Sequence, residues 1–219
     1  MNQEILAQED YWNKEAGEFQ QIYSHEKSAF SSFLDKVFRK DMFDRFIFTI
    51  QNSAPYNGRT FLDVGCGSGV YSIELAKKGA AQVTGIDIAE HMLQLCRDLA
   101  RKEGVDGQCM FTHTDLLNYT PKQRFDVCIG IGLFDYIRDP LPVLKKMRET
   151  TNDKAIASFP RFWTWRAPIR KIRLVLRSCD VYFYTKSKVE SLMREAGFPK
   201  CEVTKVGKLF CVVGYSGNR

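Results

Sequence analysis

The run Phe61-Leu-Asp-Val-Gly-Cys-Gly-Ser-Gly69 decides how the rest of the chain is read. Its apolar opening, with β-branched Val64, has the composition of a buried strand, and Gly65, Gly67 and Gly69 then break it into a turn. Val70-Tyr-Ser-Ile-Glu-Leu-Ala-Lys-Lys78 follows with helical character. Strand, glycine turn and helix open a nucleotide-binding βαβ unit, because glycine tolerates positive φ and lets the main chain approach a ligand closely. The spacing here is G-x-G-x-G, not the G-x-G-x-x-G that seats a dinucleotide pyrophosphate on the helix N-terminus. Asp63 lies within the same run, a poor neighbour for phosphate and a good acceptor for an ammonium group. Further on, Ala81-Gln-Val-Thr-Gly-Ile-Asp87 reads as a second strand ending in a carboxylate, where an acid accepts hydrogen bonds from ribose hydroxyls. The implied ligand carries a ribose and an amine but no phosphate.

On these residues the chain resembles the class I S-adenosylmethionine-dependent methyltransferases. Leu62–Gly69 matches their glycine motif and Val83–Ile88 their acidic motif. Phe111-Thr-His-Thr-Asp-Leu116 is similar to the adenine-contacting motif after strand three, and Phe125-Asp-Val-Cys-Ile-Gly130 to strand four. The resemblance spans Tyr11 to Gly214. It implies an α/β fold: a Rossmann-like, seven-stranded, mostly parallel sheet with a C-terminal antiparallel hairpin strand and helices on both faces. Residues 1–57 are expected to form a helical cap over the cofactor and 58–219 the methyltransferase core. The implied cofactor is S-adenosylmethionine, leaving as S-adenosylhomocysteine, and no metal. It would be held by Tyr23, Asp63, Gly65, Gly67, Gly69, Asp87, Ile88, Asp115, Leu116 and Gly130. Lys27 is a further candidate to meet its carboxylate or the substrate. His113 reads as a hydrogen-bonded strand-end residue and His91 as a solvated one.

The acceptor side is expected where strand four runs into Gly130-Ile-Gly-Leu-Phe-Asp-Tyr-Ile137, since active crevices of open α/β sheets lie at the carboxyl ends of the strands. Many small-molecule relatives place a histidine base here; this chain has Phe134-Asp135-Tyr136-Ile137 instead. Asp135 and Tyr136 are therefore the candidate catalytic residues, with a helix cap and a packed ring as their structural alternatives. The missing histidine argues against the metal-assisted catechol type. The signature of enzymes that methylate exocyclic amines of DNA is also absent.

Composition narrows the class. At 219 residues and 44% hydrophobic, the chain suits one α/β domain with an ample core. Seven cysteines without a C-x-x-C pair read as thiols of a reducing compartment. The first residues lack the basic and apolar regions of a signal peptide, and no apolar run approaches the ~20 residues of a spanning helix. A cytoplasmic protein is expected. The formal net charge of +6 is local: Lys154, Arg161, Arg166, Arg170, Lys171, Arg173 and Arg177 are met by no acid between Asp153 and Asp180. Residues 160–183 read as a basic amphipathic insert. From Pro168 onward, an arginine stripe would lie beside Trp165, Ile169, Ile172 and Leu176. That helix suits a solvated surface, the presentation of arginine to an anionic acceptor, or peripheral contact of 161–177 with an anionic membrane. Ubiquinone-biosynthesis and magnesium-protoporphyrin methyltransferases are similar in carrying inserts here, and both use apolar, membrane-associated substrates. Nucleic acid is a poorer fit, because no recognised module accompanies the short basic patch.

The reading that follows is methyl transfer to a small-molecule acceptor, anionic or apolar, at oxygen. Methylation of protein or RNA, and a cofactor-binding regulatory protein without catalysis, are the alternatives.

Among the remaining elements, helical faces are expected from Met42, Phe43, Phe46, Ile47 and Ile50, and from Met92, Leu95, Cys96 and Leu99. A closing helix is expected over Tyr184–Phe198 with Ser187 as N-cap and Gly197 as its stop, followed by a hairpin of Lys200–Val206 and Lys208–Tyr215.

Overall fold

The structure, a computed structural model, describes residues 32–162 and 181–217, with side chains from residue 40 onward in the first helix. Along the chain come α1 (Ser32–Ser53), β1 (Thr60–Val64), α2 (Val70–Lys77), β2 (Gln82–Asp87), α3 (Glu90–Lys102) and β3 (Cys109–His113). Then follow β4 (Phe125–Gly130), α4 (Pro140–Thr150), β5 (Thr151–Pro160), α5 (Lys186–Glu195), β6 (Lys200–Val206) and β7 (Leu209–Tyr215). The seven strands make one sheet in the order β3-β2-β1-β4-β5-β7-β6. Only β7 runs against the others, inserted antiparallel between β5 and β6. From β1 the chain winds outward to β2 and β3 on one side and from β4 onward on the other, so the winding reverses between β1 and β4, where open α/β sheets bind ligands at the carboxyl ends of their strands.

Both faces of the central strands are covered, which is why their sequences are nearly continuous apolar runs. Alternation sends Phe61, Val83, Val127, Ile129 and Ile156 to the face that also buries Ile50 of α1 and Ile73 and Leu75 of α2. Leu62, Val64, Cys128 and Ala157 go to the other, against Leu144 and Met147 of α4 and Leu192 and Met193 of α5. On that second face Phe134 stacks on Phe159 at 4.6 Å between ring centroids, and Tyr184 meets Phe159 edge-on at 5.0 Å. This column fastens the stretch after β4 to the end of β5, and with it the rim of the crevice.

Several expectations move. In α1, Phe43 is 62% exposed and Ile47 36%, while Phe46, Thr49, Ile50 and Ser53 turn inward. The hydroxyls of Thr49 and Ser53 donate to the carbonyls of Arg45 (2.9 Å) and Thr49 (2.8 Å), so polar side chains enter the core already satisfied. In α3 the buried residues are Met92, Leu93, Cys96 and Ala100, with Leu95 and Leu99 only half-buried. Close approach to the glycine turn and sheet takes the smaller Cys96 and Ala100, and the two leucines cover the flanks. Helix α5 starts later than expected because Tyr184 is held in a bridge with Arg161; its N-cap is Thr185, whose hydroxyl accepts from Lys188 N at 3.2 Å, not Ser187. Strand β5 begins at Thr151, directly after α4. Tyr23, Lys27, the rest of the cap before residue 32 and the arginine helix of 163–180 lie outside the described residues.

Candidate active site

The glycine turn is held from four sides. Gly65 N and Cys66 N both donate to Ile86 O, at 2.8 and 3.1 Å, which ties the end of β1 to the end of β2. Gly69 N donates to Cys66 O at 2.9 Å and closes the turn on itself. Gly67 N donates to Asp87 Oδ2 at 2.9 Å, and the Cys96 thiol donates to Gly67 O at 2.9 Å. Two glycines in it have separate reasons. At Gly69 (φ +76°) a Cβ would lie 2.9 Å from Cys96 Sγ, so packing forbids a side chain. At Gly67 (φ +52°) a Cβ would meet nothing within 4 Å. The space over Gly67 is open and bare main chain faces it, as a closely held ligand requires.

Two acids flank that cradle. Asp63 is 2% exposed, and its carboxylate accepts from Ser72 Oγ at 2.7 Å. Burial pushes its pKa up to about 7; the Ser72 bond opposes this and the Asp87 charge adds to it. Asp87, 9% exposed, accepts from Ala89 N through Oδ1 at 2.9 Å and from Gly67 N through Oδ2. Burial raises its pKa too, against the pull of those N–H groups. Each oxygen keeps a lone pair for further donors. Asp87 is thus a clasp on the turn as well as a polar group at the end of β2.

Around the β2 and β3 ends, Ile88 is half-buried and Leu116 is buried, and Asp115 Oδ1 accepts from Asn118 N at 3.1 Å. His113 is exposed; its Nε2 lies 2.8 Å from Ile88 O, so that nitrogen carries the proton and donates. The bond steadies the segment bearing Ile88, in keeping with a strand-end role.

Across the crevice, Gly130 ends β4 and Gly132 N donates to Ser158 Oγ at 2.9 Å. Asp135 is 4% exposed, and its carbonyl accepts from Tyr182 N at 2.9 Å. The cap on α4 is Asp139, whose Oδ1 accepts from Leu141 N at 3.2 Å, so Asp135 has no capping duty there. Tyr136 is half-buried, its N–H donating to Leu133 O at 3.2 Å. Tyr184 donates through its hydroxyl to Ile137 O at 3.4 Å; burial, then the Asp135 charge, push its pKa up to about 12. The glycine turn after β1 and the stretch after β4 that carries Asp135 and Tyr136 thus follow two directly paired parallel strands. Ser72, Cys96, Tyr182 and Tyr184 pack around these residues; the sequence had placed Cys96 on a helix face and Tyr184 at a helix start and had given none of the four a place at the site. Ser72 alone left a trace, one helical turn past the glycines.

Bare glycines, an open space above Gly67 and flanking carboxylates fit a cationic nucleoside. The comparisons with known proteins agree. A model of the methyltransferase domain family matches residues 56–197. The human EEF1A lysine methyltransferase 2 is 31% identical over 202 residues, 90% of this chain and 79% of that protein. The ubiquinone biosynthesis O-methyltransferase of Idiomarina loihiensis is 39% identical over 90 residues, 40% of this chain; the chain spans only 36% of that protein's length. Among solved structures, magnesium protoporphyrin IX methyltransferase from Synechocystis PCC 6803, crystallised with S-adenosylhomocysteine, superposes with a TM-score of 0.77 at 19% identity, covering 94% of this chain and 97% of that one. The same protein has been crystallised with S-adenosylmethionine. The chain belongs to the methyltransferase domain family, with the class I fold and S-adenosylmethionine as its cofactor.

Proposed function

We propose that the protein methylates a small-molecule acceptor, at oxygen, with Asp135 and Tyr136 on the acceptor side of the crevice. The observation that carries this reading is the position of Asp135: nearly inaccessible, in the segment that leaves β4, with its carbonyl bonded to Tyr182 N of the 182–184 stretch. A carboxylate so recessed suits a slender acceptor group. Asp63, Gly65, Gly67, Gly69, Asp87, Ile88, Asp115, Leu116 and Gly130 would hold the nucleoside, which supplies an electrophilic methyl group on a sulfonium.

The remaining work falls to the chain. The walls would keep water out, and the β4 exit would position the acceptor oxygen for attack. The Asp135 carboxylate would accept the hydroxyl proton as the oxygen takes the methyl group and the sulfur–methyl bond breaks, the thioether S-adenosylhomocysteine leaving, while the Tyr136 hydroxyl would orient the attacking oxygen. The test supplies donor labelled in its methyl group to a metabolite extract, and separately to protein and RNA fractions. Label in the low-mass fraction, resolved by mass spectrometry, is the expected result; label confined to macromolecules overturns it.

A second reading is favoured by one finding: a relative aligned along most of this chain is named a lysine methyltransferase of EEF1A. A lysine side chain is also slender enough to enter. Under that reading the label appears in a protein band and the small-molecule fraction stays blank.

A further inference from the structure

The glycine turn carries a thiol whose neighbour is a second thiol. Cys66 stands between Gly65 and Gly67, and its Sγ lies 3.9 Å from the Sγ of Cys96, midway along α3. Cys96 donates its own proton to Gly67 O at 2.9 Å, so the contact between the sulfurs is Cys66 S–H donating to Cys96 Sγ. This pair of S–H bonds joins α3 to main chain over which a ligand has room, since a Cβ on Gly67 would meet nothing within 4 Å. Leu93 and Phe111 close around the two sulfurs.

Joining the sulfurs needs them to close by about 2 Å, to the ~2.05 Å of an S–S bond. The helix is the fixed partner: Cys96 is fully buried, and Met92, Leu93 and Ala100 anchor the same face of α3. The turn is the partner that yields, because glycines at positive φ flank Cys66 and glycine reaches backbone angles closed to other residues. Accessibility selects the oxidant. Cys66 keeps 6% exposure and Cys96 none, so a small peroxide suits the site and a protein disulfide is too large. The hydrogen bond with Cys96, and then burial, raise the Cys66 pKa well above that of an ordinary thiol. The pair therefore stays reduced through a brief exposure and responds to a sustained one.

We infer that Cys66 and Cys96 form a redox switch on the cofactor cradle, closing to a disulfide under peroxide and opening under a dithiol reductant. In the closing reaction the Cys66 sulfur attacks one peroxide oxygen, the O–O bond breaks, and one water leaves as Cys66 becomes a sulfenic acid. The Cys96 sulfur then attacks the Cys66 sulfur and expels the second water, so the two thiols lose two hydrogens and two electrons to the peroxide. The bridge removes the proton that Cys96 gives to Gly67 O and draws the turn toward α3, away from the place where it meets the nucleoside. By linkage, bound nucleoside favours the reduced pair. The switch acts on uptake of the cofactor and is independent of which acceptor is methylated.

To test this, unloaded protein is treated with hydrogen peroxide, the thiols left free are alkylated, and linked peptides are mapped by mass spectrometry. S-adenosylhomocysteine is titrated calorimetrically before oxidation, after it, and again after dithiothreitol. Expected is a Cys66–Cys96 linkage and a weakening of S-adenosylhomocysteine by about tenfold or more, since a closely held ligand tolerates little movement of its cradle. Dithiothreitol restores the affinity, and loading with S-adenosylhomocysteine beforehand slows the linkage. Cys66→Ala keeps its own affinity, whatever the starting value, through the same peroxide treatment; Cys66→Ser serves if the alanine variant fails to fold, and the mapping in wild type needs neither. Four results overturn the switch: Cys66 driven to a sulfinic acid or linked to another cysteine, a linkage that leaves the affinity unchanged, a loss that dithiothreitol does not reverse, or an equal peroxide-dependent loss in the Cys66 variants.

Discussion

The two walls of the crevice are built in different ways. On the donor side nearly every contact uses main chain: Gly65 N and Cys66 N on Ile86 O, Gly67 N on Asp87, and Gly69 N on Cys66 O. On the acceptor side the bonds join separate stretches and mix main chain with side chain: Tyr182 N on Asp135 O, Gly132 N on Ser158 Oγ of β5, and the Tyr184 hydroxyl on Ile137 O. A wall of backbone and glycine has few chemical choices and recognises one cofactor. A wall assembled from separate stretches is freer to vary, and under the proposed function it is the one that selects the acceptor.

The sharpest way to break this contrast is to put a side chain into the backbone wall. Gly69→Val places a branched Cβ at positive φ and 2.9 Å from Cys96 Sγ. Backbone strain of about 1–3 kcal/mol adds to overpacking of similar size. Expected is loss of detectable S-adenosylhomocysteine binding by calorimetry and a clear drop in melting temperature. Gly67→Ala meets no protein atom, so its fold should tolerate the change better while nucleoside affinity still falls.

The opposite wall should fail in the opposite way. Asp135→Asn is expected to leave nucleoside affinity within about twofold and cut kcat/KM on the true acceptor by about 100-fold, the usual scale of a lost general base. Tyr136→Phe should cost less. If Asp135→Asn instead abolished nucleoside binding, the division of labour between the walls would be wrong.

The same contrast explains what could be read before any coordinates. The glycine turn and the two strands of the terminal hairpin were legible locally, from glycine spacing and apolar runs, whereas the seven-stranded sheet with its antiparallel strand was reached through the family resemblance. The hairpin of Lys200–Val206 and Leu209–Tyr215 departs from expectation by a single residue. Helix faces were less legible: α1 carries apolar residues nearly all round, and burial of Thr49 and Ser53 depends on bonds back to their own helix. The contact of Cys66 with Cys96 was invisible, because the two stand 30 residues apart and only the fold brings α3 against the glycine turn. Asp135 was legible as a candidate by position, whereas the α4 cap at Asp139 is seen only in the folded chain.

The smallest predicted effect tests whether the backbone wall is electrostatically neutral to its ligand. Asp63 is fully buried and its pKa stands at about 7, above the value of 3.8 for an exposed aspartate. A carboxyl raised in the folded state makes the ligand-free protein most stable below the unfolded pKa, and that contribution is lost as pH rises through about 7. Above that pH the fold carries a buried, uncompensated negative charge. Uptake of a cationic nucleoside favours the ionised form, so binding should release a proton near neutrality, and affinity should rise by about tenfold between pH 6 and 8 before levelling off. Calorimetry in buffers of different ionisation enthalpy measures both quantities. Asp63→Asn should flatten the profile and remove the proton release. A steep profile surviving in Asp63→Asn would move the titrating group elsewhere, with Asp87, also raised by burial, as the next acid to replace.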